Sequence, residues 1–290
     1  MYPTTAQING IIDNALSEDA PWGDLTSETL IPVDARATAT LTAREDGVFS
    51  GGAVFTAAFL RVDPGTQVDV RVADGAVFSS GEVLAEVSGS ARSVLRAERI
   101  GLNLVQRMSG IATLTSRYVS AVAGTGARIV DTRKTTPGLR LLEKKAVRDG
   151  GGHNHRATLS DAVMVKDNHL AVLLAEGVSV TGALRAARSR LPHTTHIEVE
   201  VDRVDQIPDV LAAGVDSVML DNFSLAQLRE GVALIGGAVV VEASGQVSLD
   251  TVGDIAATGV DVISVGALTH GGRSLDLGLD VTVRRPGDGR

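Results

Sequence analysis

The sequence has no cysteine among its 290 residues, which excludes disulfide bonds, thiolate metal sites and a cysteine nucleophile. Aromatic residues make up only 3% of the chain, so it offers few platforms on which nucleic-acid bases can stack. The longest apolar run, 233–241, is too short to span a bilayer, and the first residues lack the basic and apolar regions of a secretory signal. We therefore expect a cytoplasmic protein without a membrane partner.

Negative charge predominates in the chain except in one segment. The 27 Lys and Arg residues against 35 Asp and Glu give a net charge of -8 at pH 7, which argues against a nucleic-acid partner. Residues 133–169 reverse the sign, because they contain eight Lys and Arg against four Asp and Glu, including all four lysines of the chain. A cationic segment in an acidic protein indicates an anionic ligand.

Short apolar runs alternate with helix-like stretches in the second half of the chain, a pattern typical of βα units that form a parallel sheet. The runs are 128–130, 163–165, 197–201, 218–220, 239–241 and 262–265. Polar side chains or glycine follow each run. In a (β/α) barrel such strand ends open onto one face, where active sites form, so the pattern predicts a barrel. The alternative is a doubly wound open sheet, but its glycine fingerprint is absent after the first strand.

The first 90 residues have a different pattern. Polar and apolar residues alternate at 37–43 and 67–72 between glycine-containing turns, which predicts an antiparallel sheet. Residues 91–123 carry apolar side chains at spacings of three and four, which predicts one or two amphipathic helices. We therefore expect a second domain before the barrel.

The densest group of chemically active residues follows the first predicted barrel strand. Arg133 and Lys134 stand side by side among threonines, before the Pro137-Gly138 turn. Two cations on one tight turn form a cradle for carboxylate or phosphate, and the combination of Arg with Lys favours a ligand with more than one anionic group. The alternative is a helix start with solvated charges.

More basic candidates follow three glycines at 150–152, namely His153, His155 and Arg156. Two histidines can ligate a metal, but no third nitrogen ligand lies at a suggestive spacing, so hydrogen bonding to a ligand is favoured. Lys166 follows the second predicted strand, where it can clamp an anion, form a Schiff base or pair with Asp167, the next residue.

The remaining candidates lie at the ends of later strands. The acidic ones are Glu198, Glu200 and Asp221. Glu200 and Asp221 are nearest the predicted barrel mouth, where they can bind Mg²⁺ together with substrate phosphates or form structural salt bridges. Ser244-Gly245 and Gly266 follow the last two strands, where barrels often bind phosphate through backbone N–H groups.

Taken together, these segments resemble the quinolinate phosphoribosyltransferase family, also called nicotinate-nucleotide pyrophosphorylase (carboxylating), of type II phosphoribosyltransferases. The resemblance extends over nearly the whole chain. It is carried by ED at 18–19, GDLT at 23–26, AER at 97–99, LN at 102–103, SGIAT at 109–113, TRKT at 132–135, PGLR at 137–140, GGG at 150–152, NHR at 154–156, KDNH at 166–169, EVE at 198–200, LDN at 220–222, EASG at 242–245 and GALTH at 266–270.

The resemblance implies an open-faced α/β sandwich joined to a short-strand α/β barrel. The sandwich would comprise residues 1–110 together with the C-terminal segment 271–290, and the catalytic barrel would comprise residues 111–270. The resemblance also implies a homodimer in which each active site receives an arginine, here Arg99, from the other subunit.

The implied reaction joins quinolinate to phosphoribosyl pyrophosphate, giving nicotinate mononucleotide, pyrophosphate and CO₂ in de novo NAD biosynthesis. Mg²⁺ is the implied cofactor, and Glu200 and Asp221 would serve it and the ribose. The residues implied to hold quinolinate are Arg99, Arg133, His155, Arg156 and Lys166. Lys134 would lie between the two substrates. The residues implied to bind the 5-phosphate are Ser244, Gly245, Gly266 and His270.

Two positions depart from the family pattern. Thr158 stands where glycine usually follows the His-Arg pair, and we expect it to tighten the loop that carries Arg156. Gln246 stands where glycine or asparagine usually follows Ser-Gly, and we expect it to alter phosphate affinity. Our hypothesis for the proton donor in the decarboxylation is Lys134 or His155.

Three rival functions are compatible with parts of the sequence. Nicotinate phosphoribosyltransferase uses the same sugar donor without releasing CO₂, but a substrate with one carboxylate needs fewer cations than this chain supplies. A Schiff-base aldolase would use Lys166 as its nucleophile. A non-catalytic sensor of anionic metabolites would bind quinolinate without releasing pyrophosphate.

Overall fold

The computed structural model describes residues 3–284 and divides into two compact units. The first unit contains the chain up to Ser116, Thr135–Gly151 and the chain from Gly271 onward, and the second contains Arg117–Lys134 and Gly152–His270. The sequence-based boundaries placed residues 135–151 with the barrel. In the structure this segment groups with the first unit, because its buried ionic side chains find their partners there.

The first unit is built around an antiparallel sheet. Its strands are β1 (Arg36–Ala43), β2 (Gly47–Val48), β3 (Gln67–Val70), β4 (Val77–Phe78), β5 (Val83–Ser90) and β12 (Leu277–Arg284). Four of them form a sheet in the order β12-β1-β5-β3, and β2 pairs with β4. Its helices are α1 (Thr5–Asp19), α2 (Leu25–Leu30), α3 (Gly52–Val62), α5 (Arg140–Asp149) and most of α4 (Ala91–Ala121).

Alternating burial explains the sheet of the first unit. In β1 the side chains of Ala37, Ala39 and Leu41 are buried, whereas the threonines between them are half-buried. This alternation confirms the predicted antiparallel sheet. Residues 91–121 form one continuous helix rather than two. Phe55 and Phe59 anchor the core, with ring centroids 4.9 Å apart in an edge-to-face arrangement.

The second unit contains a six-stranded parallel sheet, which confirms the predicted α/β architecture. Its strands are β6 (Arg128–Val130), β7 (Val163–Val165), β8 (Ile197–Val201), β9 (Ser217–Asp221), β10 (Val240–Ser244) and β11 (Val262–Ser264), in the order β6-β11-β10-β9-β8-β7. Its helices are α6 (Asp167–Ala175), α7 (Val180–Arg190), α8 (Ile207–Leu211), α9 (Leu225–Ile235), α10 (Val252–Ala256) and α11 (Ala267–His270). Among the helices of residues 3–284, none combines the length and apolar composition of a membrane span.

The strand registers show which acidic candidates lie beside each other across the sheet, and residues aligned in this way are said to share a level. Glu200 on β8 is aligned with Met219 on β9, which is aligned with Glu242 on β10. Asp221 lies one level further along, opposite Ser244. Because side chains alternate along a strand, Glu198 points to the same side as Glu200 but one level deeper.

Candidate active site

A cavity of about 680 Å³ opens within the second unit, and residues from the ends of all six parallel strands or the loops after them line it. Its volume is typical of a site for a small ligand. The sequence-predicted site residues among its lining are Arg133, Lys134, His155, Arg156, Lys166, Glu200, Asp221, Ser244, Gly245, Gly266 and His270. The convergence expected from the strand-end pattern is therefore present in the structure.

Arg99 is the predicted site residue that the structure places elsewhere. It is exposed on α4, in the first unit. It does not belong to the cavity lining found in the described part of the chain. Its assignment to the site of a second subunit stays a prediction.

Backbone contacts fix the loop that carries Arg133 and Lys134. The Lys134 N–H donates to the Thr132 hydroxyl at 3.0 Å, and the Thr269 hydroxyl donates to the Lys134 carbonyl at 2.7 Å. A Cβ atom at Gly266 would lie 3.2 Å from Lys134 Cδ and 3.1 Å from His270 Nε2. Glycine at this position therefore allows the lysine and the histidine to approach the strand end closely.

The continuation of this loop is fixed by Glu143, which the sequence analysis did not single out. Glu143 is fully buried in the first unit. Its carboxylate accepts the N–H and the hydroxyl of Thr136 at 3.1 and 2.8 Å, and it forms an ion pair with Arg107 at 2.9 Å. A glutamate one turn into a helix was the available signal, because such a residue can reach back to the preceding loop.

Arg156 is held beside a second guanidinium. Its Nη1 donates to the Ala162 carbonyl at 3.0 Å. Burial lowers the pKa of Arg156, and the positive charge of Arg133 lowers it further. Because each cation destabilises the charge of the other, an anion that contacts both guanidinium groups is strongly favoured.

The loop after Arg156 contains the first departure from the family pattern. Asp161 accepts the N–H of Ala157 at 2.6 Å and the N–H and hydroxyl of Thr158 at 3.0 and 2.5 Å. The hydroxyl contact is one that glycine cannot make. It supports the expectation that Thr158 tightens this loop.

His155 lies between two buried glutamates. Its Nε2 is 3.0 Å from Glu198 and 3.5 Å from Glu242. Glu198 was one of the acidic candidates at the strand ends, but no sequence signal paired either buried glutamate with the histidine. Burial alone would lower the pKa of His155, whereas the hydrogen bonds and charges of the two carboxylates raise it above its ordinary value by favouring a proton on Nε2. The N–H of Arg156 donates to Nδ1 at 2.7 Å and opposes protonation of that nitrogen.

The main chain of His155 is fixed by Asp131, a fully buried residue that directly follows β6. Asp131 accepts the N–H of His155 at 2.9 Å and the amide of Asn154 at 2.6 Å. A charged residue at the end of an apolar strand was the sequence signal for it. Asp131 therefore fixes the main chain of His155, the residue that precedes Arg156.

Lys166 and Glu200 form an ion pair in the cavity. The sequence also allows a pairing of Lys166 with Asp167, whose side chain lies outside the described part of the structure. The neighbouring carboxylate, Asp221, accepts the amide of Asn222 at 2.6 Å. The cavity thus combines cations from three loops with carboxylates from two adjacent strands.

Three residues with left-handed backbone conformations also line the cavity. Asn222, Gly245 and Gln246 have φ angles of 57°, 99° and 47°. A Cβ atom on Gly245 would lie 2.2 Å from Oδ1 of Asn222, so glycine is required there. Glycine and asparagine adopt a left-handed conformation more readily than glutamine, which agrees with the residues that the resemblance leads us to expect after Ser244-Gly245.

The chain is similar to known proteins along nearly its whole length. Residues 111–280 match the family model described as the C-terminal domain of quinolinate phosphoribosyl transferase, and residues 24–109 match the model of its N-terminal domain.

Among named relatives, the nicotinate-nucleotide pyrophosphorylase (carboxylating) of Mycobacterium leprae is 45% identical over 279 residues, which cover 93% of this chain and 95% of that protein. The quinolinate phosphoribosyltransferase (decarboxylating) 1b of Nicotiana tabacum is 41% identical over 296 residues, which cover 96% of this chain and 83% of that protein. A crystal structure of NadC from Streptococcus pyogenes is similar with a TM-score of 0.92 and 39% identity, covering 98% of this chain and all of that one. The chain belongs to the quinolinate phosphoribosyltransferase family.

Proposed function

We propose that the protein transfers the phosphoribosyl group of phosphoribosyl pyrophosphate to quinolinate with loss of CO₂, giving nicotinate mononucleotide and pyrophosphate in NAD biosynthesis. Relatives at 41 to 45% identity are named for this activity. The observation that carries the proposal is one cavity in which Arg133, Lys134, Arg156 and Lys166 are combined with two carboxylates on neighbouring strands. A dicarboxylate and a polyphosphate together require such a set of cations.

Electrostatics explains why these two substrates need a protein. Both are multiply anionic and repel each other in water. Two unit charges 4 Å apart interact by about 1 kcal/mol in water but by about 4 kcal/mol near a protein surface. A cationic cavity in a chain of net charge -8 therefore attracts both substrates and offsets their repulsion.

Arg133, Arg156 and Lys166 hold quinolinate in this proposal. Each guanidinium can bind a carboxylate through two parallel hydrogen bonds, and the two arginines lie close enough to lower the pKa of Arg156. When the ring nitrogen attacks the sugar, pyrophosphate leaves and the ring becomes a pyridinium. This ring accepts the electron pair released when the 2-carboxylate leaves as CO₂, and the resulting carbanion then takes up a proton.

Lys134 is the better of the two candidates for donating that proton. His155 directs Nε2 at Glu198 and Glu242, and its Nδ1 accepts the N–H of Arg156. Lys134 lines the cavity beside Gly266, close to the predicted phosphate side. A Lys134→Ala variant that forms mononucleotide at the wild-type rate would contradict this assignment.

Glu200 and Asp221 serve the ribose and Mg²⁺. Their carboxylate oxygens are the ligands that Mg²⁺ prefers, and one or two such groups with substrate phosphates are a common magnesium site. The donor set on β8 and β9 therefore fits this ion. When bound, Mg²⁺ would neutralise charge on the departing pyrophosphate. The two carboxylates themselves stabilise positive charge that develops on the ribose ring.

Ser244, Gly245, Gly266 and His270 bind the 5-phosphate in the same proposal. They lie at the ends of β10 and β11, and all line the cavity. Glycine backbones leave the N–H groups accessible to an anion, as in the phosphate sites of other barrels. His270 adds a side chain at the end of α11.

The proposal includes a cytoplasmic homodimer in which Arg99 enters the site of the other subunit. Four large apolar side chains support an interface on the first unit, because Trp22, Leu25, Leu30 and Val33 are between 71% and 92% exposed. Mixing the inactive variants Arg99→Ala and Arg133→Ala tests the dimer. Mixed dimers should regain activity, since one of their two sites then contains both arginines. Subunit exchange without regained activity would contradict a shared site.

The decisive experiment incubates the protein with phosphoribosyl pyrophosphate, Mg²⁺ and quinolinate labelled in the 2-carboxylate. We expect CO₂ and nicotinate mononucleotide in a ratio of one to one. Turnover of nicotinate instead would favour the non-decarboxylating transferase. Binding of quinolinate without pyrophosphate release would favour a sensor, and trapping of a carbonyl substrate on Lys166 by borohydride would favour an aldolase.

A further inference from the structure

Beneath the cavity, the His155 ring contacts two carboxylates from different strands. Nε2 lies 3.0 Å from Oε2 of Glu198 on β8 and 3.5 Å from Oε2 of Glu242 on β10. Each glutamate side chain is only 5% exposed, whereas the histidine side chain is 15% exposed. The histidine side chain is therefore more open to the cavity than the two glutamates that contact it, although Glu242 also contributes to the cavity lining.

The other ring nitrogen shows where the ring proton lies. Nδ1 accepts the N–H of Arg156 at 2.7 Å, and a nitrogen that accepts a hydrogen bond carries no proton. In this geometry the proton is on Nε2 and is directed at the carboxylates. A protonated Nε2 cannot ligate a metal ion, so the three side chains form a hydrogen-bonded cluster although their composition would also suit a cation.

The cluster contains more carboxylate than one N–H group needs. Oε1 of Glu242 is buried and has no hydrogen-bond partner within residues 3–284. Burial of an unsatisfied carboxylate oxygen costs folding free energy. A buried group that costs folding free energy beside a cavity is better explained by a role in the site than by stabilisation of the fold.

We propose that Glu198 and Glu242 are positioning residues for the transfer reaction, which hold the His155 ring by accepting its Nε2 proton and thereby fix the side of the cavity that receives quinolinate. The contacts run from β8 and β10 through the ring to the main chain of Arg156. Neither glutamate needs to touch the substrate. The identification of quinolinate as the ligand rests on the proposed function. The claim that the two glutamates hold the His155 ring does not depend on it.

A double-mutant cycle tests whether the glutamates act through the ring. Glu198→Gln and Glu242→Gln should each raise the KM for quinolinate about tenfold, a typical coupling between residues in direct contact, with the KM for phosphoribosyl pyrophosphate unchanged within about twofold. In a His155→Gln background the same substitutions should cause almost no further rise in the KM for quinolinate. Glu230→Gln, an exposed glutamate on α9, is the matched control and should change neither KM.

Two results would overturn the proposal. Additive effects of Glu242→Gln and His155→Gln would show that the glutamate acts independently of the ring. An equal rise in both KM values would indicate a general structural defect.

Nitrogen NMR of the substrate-free wild-type protein separates this proposal from the proposed function. We expect the His155 Nε2 to be protonated at neutral pH and to exchange its proton faster in both Gln variants than in Glu230→Gln. An unprotonated Nε2 would overturn the support of the ring. If the protein fails to convert quinolinate but Nε2 is protonated and protected, the proposed function is wrong and the supporting role of the glutamates stands.

Discussion

Two clusters in this protein each place one basic side chain between two carboxylates. In the first unit, Lys145 Nζ lies 2.6 Å from Asp74 and 2.6 Å from Asp149. In the second unit, His155 lies between Glu198 and Glu242. The composition is the same, but the surroundings of the carboxylates differ.

The carboxylates of the first cluster have donors besides the lysine. Oδ1 of Asp74 accepts the N–H groups of Gly51 and Gly52 at 2.8 and 2.9 Å, and Asp149 accepts the Ser50 hydroxyl at 2.5 Å. Such a cluster links α3 and α5 and has a structural role.

In the second cluster, Glu242 keeps a buried oxygen without a partner in the described structure, and it lines the cavity. The Ser264 side chain also hydrogen-bonds Glu242, so the two clusters differ in this one unsatisfied oxygen and in their position relative to the cavity. Substitutions in both clusters test this distinction.

The largest effect is expected from removal of the lysine. Lys145→Met leaves the largely buried Asp149 and the partly exposed Asp74, whose side chains are 9% and 24% exposed, without their cation, so we expect the free energy of unfolding to fall by about 3 kcal/mol. Urea denaturation measures the loss. The control is Arg229→Met, an exposed cation on α9, which should change stability by less than about 0.5 kcal/mol. A Lys145 variant as stable as this control would contradict a structural role for the first cluster.

A smaller loss is expected from Ser50→Ala. This change removes one donor from the buried Asp149 carboxylate, and a hydrogen bond to a charged group contributes about 2 kcal/mol. Thermal denaturation should show the loss, whereas the KM for quinolinate should stay at its wild-type value. Ser189→Ala, on the exposed side of α7, provides the comparison. A changed KM in Ser50→Ala would show that the first cluster also acts on the site.

The sequence predicted most of the architecture because its signals are local. Buried strands of the second unit appear as apolar runs, and three of them, Arg128–Val130, Val163–Val165 and Ile197–Val201, have the predicted bounds. The convergence of their ends follows from parallel strands alone. A cationic cavity could therefore be expected before any contact was known.

The partners of buried charges could not be predicted in the same way. His155 and Glu242 are 87 positions apart, and Lys145 and Asp74 are 71 apart, so no local spacing signals either pair. Glu198 and Glu200 look equivalent in sequence, yet one supports a histidine and the other pairs with Lys166. The strand register decides which of these two glutamates lies deeper in the sheet. The register depends on the folded structure and cannot be derived from local sequence.

Glu242 also predicts a difference in pH dependence. Burial raises the pKa of Glu242 above its ordinary value of 4.5, and the charge of Glu198 raises it further. The folded protein therefore binds this proton more tightly than the unfolded chain, and that stabilisation is present below pH 4.5 and is lost as the pH rises through the folded value. Because Glu242→Gln has no such proton, its stability relative to wild type should increase as the pH rises towards neutral.

Urea denaturation of both proteins across this pH range measures the difference. Glu230→Gln is the control, since an exposed carboxylate has nearly the same environment in both states. A stability difference between Glu242→Gln and wild type that does not change with pH would contradict strained burial of this carboxylate.

The smallest effect is expected from relief of backbone strain at Gln246, a residue of the cavity lining. Gln246 has a φ angle of 47°, a conformation that costs most residues about 1 to 2 kcal/mol. Gln246→Gly removes this cost but loses about 0.5 to 1 kcal/mol through the greater freedom of glycine in the unfolded chain. We therefore expect a net stabilisation of about 0.5 kcal/mol, measured by thermal denaturation.

Gln246→Ala separates backbone strain from loss of the glutamine side chain, because alanine keeps the Cβ atom at the same positive φ. It should not be stabilised. The KM for phosphoribosyl pyrophosphate should change in Gln246→Gly, since the residue follows Gly245 in the predicted phosphate loop. If the alanine and glycine variants are equally stable, the strain lies in the glutamine side chain rather than in the backbone. Gln246 would then not be a site of backbone strain beside the cavity.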